Sequence, residues 1–407
     1  MGNKALTDIV TFTRASGGSY TDSAGVLRYA RNNEPRYDYN PSTLAFRGVL
    51  IEEARTNYVR NNTNIGAVAG SPGTMPTYFG TYTPLTGITR QIVGTGIENG
   101  IPYIDIRVYG TPSAAGSYLW YWEASSGIAA TTAQTWTCSA YAKRVSGSLT
   151  GVSGVFFQAD EYTSVPAYIR SNNGSQFTLS DALARYSHTF TTSGGATTAY
   201  ILPCFTLSLS GAAVDVTVRF GAAQMEIGSF ITSPILTAGV TASRSLDQLK
   251  IDGSNFTTLY NSTEGTLYAE SLRTINSPSG SYYPAVFSIN SDINNRMVMY
   301  TTFISSAQNY RAYGSASTVQ QFDIGASPGT NVTVGTVAKT ALAYSLNDFA
   351  LSVNGSVPLT DTVGTLPTVS KAEIGSETSV NPFNGWIRKI KYYPKRLTNA
   401  ELQALTS

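Results

Sequence analysis

The chain is organised around the segment Thr11–Asn57, which ends in the run Gly48-Val49-Leu50-Ile51-Glu52-Glu53-Ala54-Arg55-Thr56-Asn57. This segment is the most charged part of a weakly charged chain, and turns break it into short extended pieces. The first 57 residues are too few and too broken to bury a core alone. We therefore predict an N-terminal segment that packs against another body, with Gly48–Asn57 as its strand and contact edge.

Three charged residues follow the apolar part of that run, namely Glu52, Glu53 and Arg55. Charges in such a place usually form a solvated face. The alternative is an ion-paired contact with a subunit or a docking partner. Both interpretations stay open at the level of sequence.

Composition limits the function of the chain more than its fold. Charged residues make up 13% of the 407 residues and the formal net charge is +2, which does not favour nucleic acid or an acidic membrane as a partner. Apolar runs are too short for a membrane span, and the first residues lack a secretory apolar segment. We expect synthesis and folding in a cytoplasm without an export signal.

The strand patterns predict an all-β protein. Gly, Tyr, Ser and Thr are abundant, and Ile101–Tyr109 alternates apolar and polar residues as a half-buried strand does. About eight such strands between 117 and 245 favour a jelly-roll sandwich. A further series of strand patterns follows the polar stretch Thr241–Asp247, where we place a domain boundary. The predicted domains are 1–57, 58–245 and 246–407.

The chain ends in a predicted helix from about 399 to 406. Thr398 and Glu401 fit a capping box, and Leu397 and Leu402 fit a hydrophobic staple. The two leucines should pack against the second sandwich.

Parts of the sequence resemble known families. One resemblance lies in four N-terminal stretches, Thr11–Ser16, Tyr20–Leu27, Asn33–Asp38 and Leu50–Asn57. These stretches are similar to the N-terminal module of tailed-phage virion surface proteins, described as head spike or fibre and tail-fibre components. Cys138–Lys143 and Gly221–Pro234 resemble carbohydrate-binding jelly-roll modules. The pieces that resemble a concanavalin-A-like or laminin-G-like sandwich are Glu264–Tyr268, Ala350–Gly355, Glu373–Ser376 and Phe383–Ile390.

The resemblance implies a non-enzymatic virion surface protein, either a capsid decoration or a head fibre, with glycan adhesion as an added role. Its partners would be the major capsid or tail proteins, and a homo-oligomer, by default a trimer, is expected. A tail fibre that recognises host glycans and a polysaccharide depolymerase are the alternatives. The N-terminal segment would lie on the jelly roll, a sister subunit or the capsid. The predicted attachment residues are Phe12, Arg14, Leu50, Glu52, Glu53 and Arg55.

Groups for catalysis are sparse in the sequence. His188 is the only histidine and lies in a period-2 strand, which disfavours Ser–His and Cys–His pairs and a histidine metal site. Neighbours such as Asp160 and Glu161 point to opposite faces of a strand, so they cannot flank a sugar bond together. No Glu-x-Asp-x-x-Glu run marks a glycanase strand in the last domain. We expect no enzyme activity.

Binding residues are predicted on weaker patterns. Tyr118, Trp120 and Trp122 share one strand face and are the candidates for stacking on a sugar, although most aromatic residues at such spacing belong to a core. The oxygen-rich loops Asp252–Asn255 and Ser291–Asn295 could take Ca²⁺ but do not match the EF-hand spacing, so no cofactor is expected. Cys138 is expected to be a small buried residue, and a disulfide with Cys204 stays open.

Overall fold

The computed structural model describes residues 9–195, 197–275, 283–304, 307–325 and 330–407. It confirms the all-β class, with β-sandwiches and a short C-terminal helix. The chain divides into two compact units, one made of Met1–Ala54 together with Ser245–Ser407, the other of Arg55–Arg244. We call them the discontinuous unit and the central unit. Every strand pairing in the described part of the chain is antiparallel.

In its described residues, the discontinuous unit is a sandwich of two sheets with a small hairpin and two helices. Its first sheet contains, in spatial order, β1 (Thr11–Thr13), β19 (Gln248–Ile251), β29 (Lys371–Ile374), β21 (Ala285–Asp292), β22 (Asn295–Ile304), β23 (Ala307–Ala316) and β24 (Val319–Ile324), with β25 (Asn331–Val332) beside β23. Its second contains β28 (Leu359–Asp361), β27 (Asp348–Val353), β26 (Val337–Ser345), β20 (Glu264–Leu272), β30 (Gly385–Tyr393), β5 (Phe46–Ile51) and β4 (Tyr37–Tyr39). The hairpin is β2 (Gly18–Thr21) and β3 (Leu27–Ala30), and the helices are α1 (Gly253–Leu259) and α2 (Asn399–Thr406).

The N-terminal segment supplies strands to both sheets of this unit. Thr11 pairs with Lys250 at the edge of the first sheet, and Leu50 pairs with Trp386 in the second. Val49 and Ile51 enter the core between the sheets. The structure therefore corrects the predicted separate domain 1–57, because the segment completes the C-terminal sandwich, a body that the sequence interpretation did not consider.

The central unit is a second sandwich. One sheet contains β14 (Tyr168–Asn173), β13 (Val152–Tyr162), β16 (Tyr200–Leu209), β10 (Gly116–Tyr121) and β7 (Gly80–Tyr82), with β11 (Ile128–Ala129) beside β16. The other contains β15 (Ala184–Thr191), β12 (Thr135–Ser148), β17 (Val214–Ile227), β9 (Ile101–Gly110) and β8 (Ile88–Glu98). A short pair, β6 (Arg55–Asn57) with β18 (Ala242–Arg244), joins the two ends of the unit.

The C-terminal helix has the caps that the sequence predicts. The Thr398 hydroxyl accepts a hydrogen bond from the Glu401 backbone N–H at 3.3 Å, and the Glu401 carboxylate accepts one from the Thr398 N–H at 2.7 Å. Leu402 is fully buried against Tyr268, with Leu397 packed at the same cluster. The capping box and the inward leucines are confirmed.

Candidate functional site

The charged residues of the N-terminal segment form a buried cluster inside the discontinuous unit. We call Arg14, Arg36, Glu52 and Asp247 the ion quartet. Arg36 Nη1 lies 2.7 Å from Glu52 Oε2, and Arg14 Nη1 lies 3.0 Å from Asp247 Oδ1. Arg36 also pairs with Asp247 Oδ2, which accepts the Glu52 backbone N–H at 2.9 Å. All four residues are at most 6% exposed.

Backbone carbonyls accept further hydrogen bonds from the two arginines. Arg14 donates to the carbonyl oxygens of Ser16 and Arg31 at 2.8 and 2.7 Å, and Arg36 donates to that of Ser19 at 3.0 Å. Burial lowers the pKa of Arg36, but the attraction of Asp247 and Glu52 outweighs it and raises that pKa overall. Because buried charges are tolerated only when paired and hydrogen-bonded, this network fixes the segment in its own unit.

The predicted attachment residues are therefore mostly unavailable at the surface. Phe12, Leu50 and Glu52 are at least nine-tenths buried in the discontinuous unit. Glu53 is half-buried, and its carboxylate accepts a hydrogen bond from the Asn384 amide at 2.9 Å. Arg55 is buried in the central unit with its guanidinium 4.7 Å from the Phe230 ring centroid. The interpretation of Glu52 and Arg55 as part of a solvated face is therefore wrong. The structure also corrects the predicted docking contact, because the contacts of these charged residues lie inside the chain.

The predicted sugar-stacking aromatics belong to the core of the central unit. Tyr118, Trp120 and Trp122 are 4%, 1% and 0% exposed. Trp120 stacks on Phe205 with ring centroids 4.7 Å apart, inside the cluster that fills the sandwich. A glycan cannot reach these rings, so the structure corrects their assignment from sugar stacking to core packing.

A different group of tyrosines lies on the outward face of the sheet that contains Trp120. Tyr162 of β13 is opposite Tyr168 of β14 on one side and Tyr200 of β16 on the other. The rings of Tyr162 and Tyr200 are stacked 5.2 Å apart with an interplanar angle of 7°, and Tyr168 meets Tyr162 edge to face at 5.8 Å. Tyr168 is 58% exposed. We call Tyr168, Tyr162 and Tyr200 the tyrosine row.

A buried carboxylate lies next to the tyrosine row. Asp160 is 4% exposed and accepts three hydrogen bonds, each 2.6 Å long, from the Tyr121 hydroxyl, the Gln158 amide and the Ser171 hydroxyl. The Tyr168 hydroxyl lies 2.9 Å from that of Ser171, which links this cluster to the row. Burial, together with the bond to Asp160, raises the pKa of Tyr121, so this phenol stays a proton donor. We call Tyr121, Gln158, Asp160 and Ser171 the Asp160 cluster.

The neighbouring carboxylate faces away from the row, as strand alternation predicts. Glu161 accepts hydrogen bonds from the Thr198 hydroxyl and, at 2.8 Å, from the Ser193 backbone N–H. Arg170 pairs with it at 3.1 Å. Burial raises the pKa of Glu161, but these hydrogen bonds outweigh it and leave the pKa below its usual value. The row therefore has one carboxylate beside it, Asp160, and its chemistry is that of hydrogen bonding and ring stacking.

Sequence reasoning missed the tyrosine row because its members come from three strands. The signal was partly present, since Gln158, Asp160 and Tyr162 alternate with Phe157 and Ala159 and so mark a polar outward face. The side-by-side placement depends on which strands pair, and a single sequence does not give that register.

The other predicted sites have structural roles. His188 is partly buried and stacks on Phe190, and burial lowers its pKa. Cys138 and Cys204 are buried free thiols. Asp292 accepts backbone N–H bonds from Asn294 and Asn295 and closes the hairpin turn between β21 and β22, while Asp252 pairs with Lys250 at 2.7 Å.

Within residues 9–195, 197–275, 283–304, 307–325 and 330–407, no group of three or more His, Cys, Asp or Glu side chains is arranged to hold a metal ion. In the same part of the chain, none of the helices has the length and apolar character needed to cross a membrane.

Comparison with known proteins assigns the chain to no family. No protein-family profile and no curated protein matches the chain. Among solved structures, the tandem CBM22 domains of Paenibacillus barcinonensis Xyn10C are 8% identical over 80% of this chain and 98% of that one, with a TM-score of 0.27. Trypanosoma rangeli sialidase in complex with sialic acid is 10% identical over 94% of this chain and 74% of the sialidase chain, also with a TM-score of 0.27. Likenesses this distant do not bear on function.

Proposed function

We propose that the chain is a glycan-binding protein without catalytic activity and that it is displayed on the surface of a tailed-phage virion. The observation that carries the glycan-binding part is the tyrosine row beside the Asp160 cluster. Three neighbouring strands present tyrosine rings on one outward face, and hydrogen-bonding groups lie directly beside them.

This arrangement has the two elements that sugar recognition needs. The ring surface that the contacts among the three tyrosines leave free can pack on the apolar C–H groups of a pyranose ring, and polar groups nearby bind the hydroxyls. The Tyr162 and Tyr200 rings are held in place by mutual stacking, which reduces the conformational entropy that a ligand would have to remove. One carboxylate on this side supports binding rather than glycoside hydrolysis, which requires two.

The virion setting rests on the resemblance of the N-terminal segment, and the structure gives that segment a further role inside the discontinuous unit. A capsid decoration or head fibre, with a trimer as the default oligomer, is our proposal for the particle. Gold labelling of intact particles with an antibody against the chain should place it on the head. Label confined to the tail would favour a tail fibre, and unlabelled particles would contradict the virion setting.

Glycan binding is tested with the full chain on an array of oligosaccharides. Wild type should bind a subset, and Tyr162→Ala should bind that subset about fivefold more weakly or worse, since an aromatic contact is worth of order 1 kcal/mol. Tyr37→Ala is the matched control, because Tyr37 is an exposed tyrosine of the discontinuous unit, at 43%. Full binding by Tyr162→Ala, or no binding by wild type, would contradict the proposal.

A further inference from the structure

We infer that Asp160 makes the tyrosine row selective for uncharged, hydroxyl-rich sugars and excludes sugars that carry sulfate or carboxylate groups. This inference rests on the proposed glycan binding and names the class of ligand and the residue that selects it. It follows from the direction of the hydrogen bonds in the Asp160 cluster.

Each neighbour in the cluster directs one hydrogen towards the Asp160 carboxylate. Tyr121 donates to Asp160 Oδ2, and Ser171 donates to Asp160 Oδ1. Gln158 uses its amide hydrogens on Asp160 Oδ1 and on the Ser171 hydroxyl, at 2.6 and 3.1 Å. Because the Ser171 hydrogen is already used, the Tyr168 hydroxyl must be the donor in its 2.9 Å contact with Ser171. One buried anion thus orients four neighbouring side chains.

The cluster is left with lone pairs for a ligand. The carbonyl oxygen of Gln158 and the phenol oxygens of Tyr121 and Tyr168 are acceptors once their hydrogens are engaged. Acceptors bind sugar hydroxyls, which can donate. A sulfate or carboxylate offers only acceptors at neutral pH, so it would place lone pairs against lone pairs and a negative charge near Asp160.

No cation on the outward face of these strands compensates for that repulsion. The outward positions of β14, β13, β16 and β10 nearest the row are uncharged apart from Asp160, and they are Tyr121, Gln158, Tyr162, Tyr168, Ser171, Asn173, Tyr200, Leu202 and Cys204. Arg170 pairs with Glu161 and donates to the Thr191 carbonyl at 2.7 Å, so it is held on the other side of β14.

The row also limits the length of the segment that it contacts. Its three tyrosines lie on adjacent strands, and with the usual strand spacing the outer two are about 10 Å apart. That distance matches two consecutive pyranose rings lying across the strands.

The test is an array on which each neutral oligosaccharide is printed beside its sulfated and its carboxylated counterpart, probed with the full chain. Wild type should bind neutral members at least about tenfold more tightly than their anionic counterparts, since like-charge contacts suppress wrong partners. Asp160→Asn should lower the ratio of the affinity for the neutral member to that for its anionic counterpart. The reason is that the amide brings hydrogens of its own and releases those of its neighbours towards the ligand. A merely structural role of Asp160 would lower both affinities and leave the ratio unchanged.

The outcomes separate the two proposals. Equal or tighter wild-type binding of the anionic member of a pair would overturn the inference and leave glycan binding intact. Absence of wild-type binding to every member would overturn both. An unchanged ratio in folded Asp160→Asn would remove Asp160 as the selecting residue. If Asp160→Asn does not fold, Tyr121→Phe decides the same point. This variant frees one oxygen of the Asp160 carboxylate, so it should preserve or sharpen the preference for neutral sugars. Loss of that preference in Tyr121→Phe would overturn the inference.

Discussion

Arg36 and Asp247 are 211 positions apart in the sequence and form an ion pair in which both side chains are fully buried. Asp247 also forms an ion pair with Arg14, and the Asp247 backbone N–H donates to the Glu52 carbonyl at 3.0 Å. The chain thus leaves the discontinuous unit after residue 54, returns at 245, and is closed there by the ion quartet. The N-terminal segment is a structural part of the C-terminal sandwich.

Loss of Asp247 should destabilise the discontinuous unit strongly. Asp247→Ala leaves Arg14 and Arg36 buried with fewer partners, and breaking such a pair costs about 3–5 kcal/mol. Chemical denaturation followed by circular dichroism measures the change in the free energy of unfolding. Arg28→Ala is the control, because its pair with Asp22 is at the surface and Arg28 is 56% exposed, so its loss should cost at most about 1 kcal/mol. Equal effects of the two variants would contradict the role of the quartet.

Removal of residues 1–54 should unfold the discontinuous unit and spare the central one. The deletion takes away β1, β4 and β5 and three members of the quartet, which leaves Asp247 without its arginines. In contrast, residues 55–244 contain both sheets and the core of their own sandwich. Limited proteolysis of the truncated chain should leave a resistant fragment close to 55–244. A resistant fragment that contains 245–407 would show that the N-terminal strands are dispensable.

Trp120 and Tyr168 should behave as core and surface residues, respectively, despite their similar size and chemistry. Trp120→Ala removes a fully buried ring and should cost about 3–5 kcal/mol of unfolding free energy. Tyr168→Ala changes an exposed side chain and should cost less than about 1 kcal/mol while lowering glycan affinity. Thermal unfolding and glycan titration of the two variants, done side by side, check both parts. A destabilised Tyr168→Ala with normal affinity would count against the binding role of the row.

Both cysteines should be unreactive in the native protein. Burial raises the pKa of the Cys138 thiol to about 12, and burial together with Asp160 raises that of Cys204 well above its ordinary value. With these raised pKa values both sulfurs stay protonated at pH 8. They are then unreactive, because the thiolate is the reactive form of cysteine. An aromatic disulfide reagent should therefore detect no thiol in the folded chain and two after denaturation in guanidinium chloride. Rapid reaction of either thiol in the folded chain would contradict the burial.

The sequence predicts features that depend on local patterns. The helix at Asn399–Thr406 follows from Thr398 and Glu401, which are close in the chain and satisfy each other directly. The all-β class follows from period-2 alternation and turn composition. The boundary near 245 is predicted to within a residue, since a polar stretch separates two strand series.

Features that depend on distant pairing are not predictable in this way. Glu52 next to Ile51 looks like a surface charge until Arg36 and Asp247 are known to meet it. Trp120 and Tyr162 both lie in aromatic, alternating strands, yet one faces the core and the other faces outward. The face of a strand becomes known only with its register, which is why the predicted sugar-stacking residues fell on the wrong side of the sheet.

Hydroxyl-radical footprinting of the full chain with and without the oligosaccharide that binds best on the array tests the central claim most directly. We predict that the glycan protects Tyr162, Tyr168 and Tyr200 from oxidation, while the exposed Tyr29 and Tyr37 of the discontinuous unit are oxidised as in the unliganded protein. Protection of tyrosines elsewhere, with the row oxidised equally in both samples, would contradict the assignment of the tyrosine row as the glycan site.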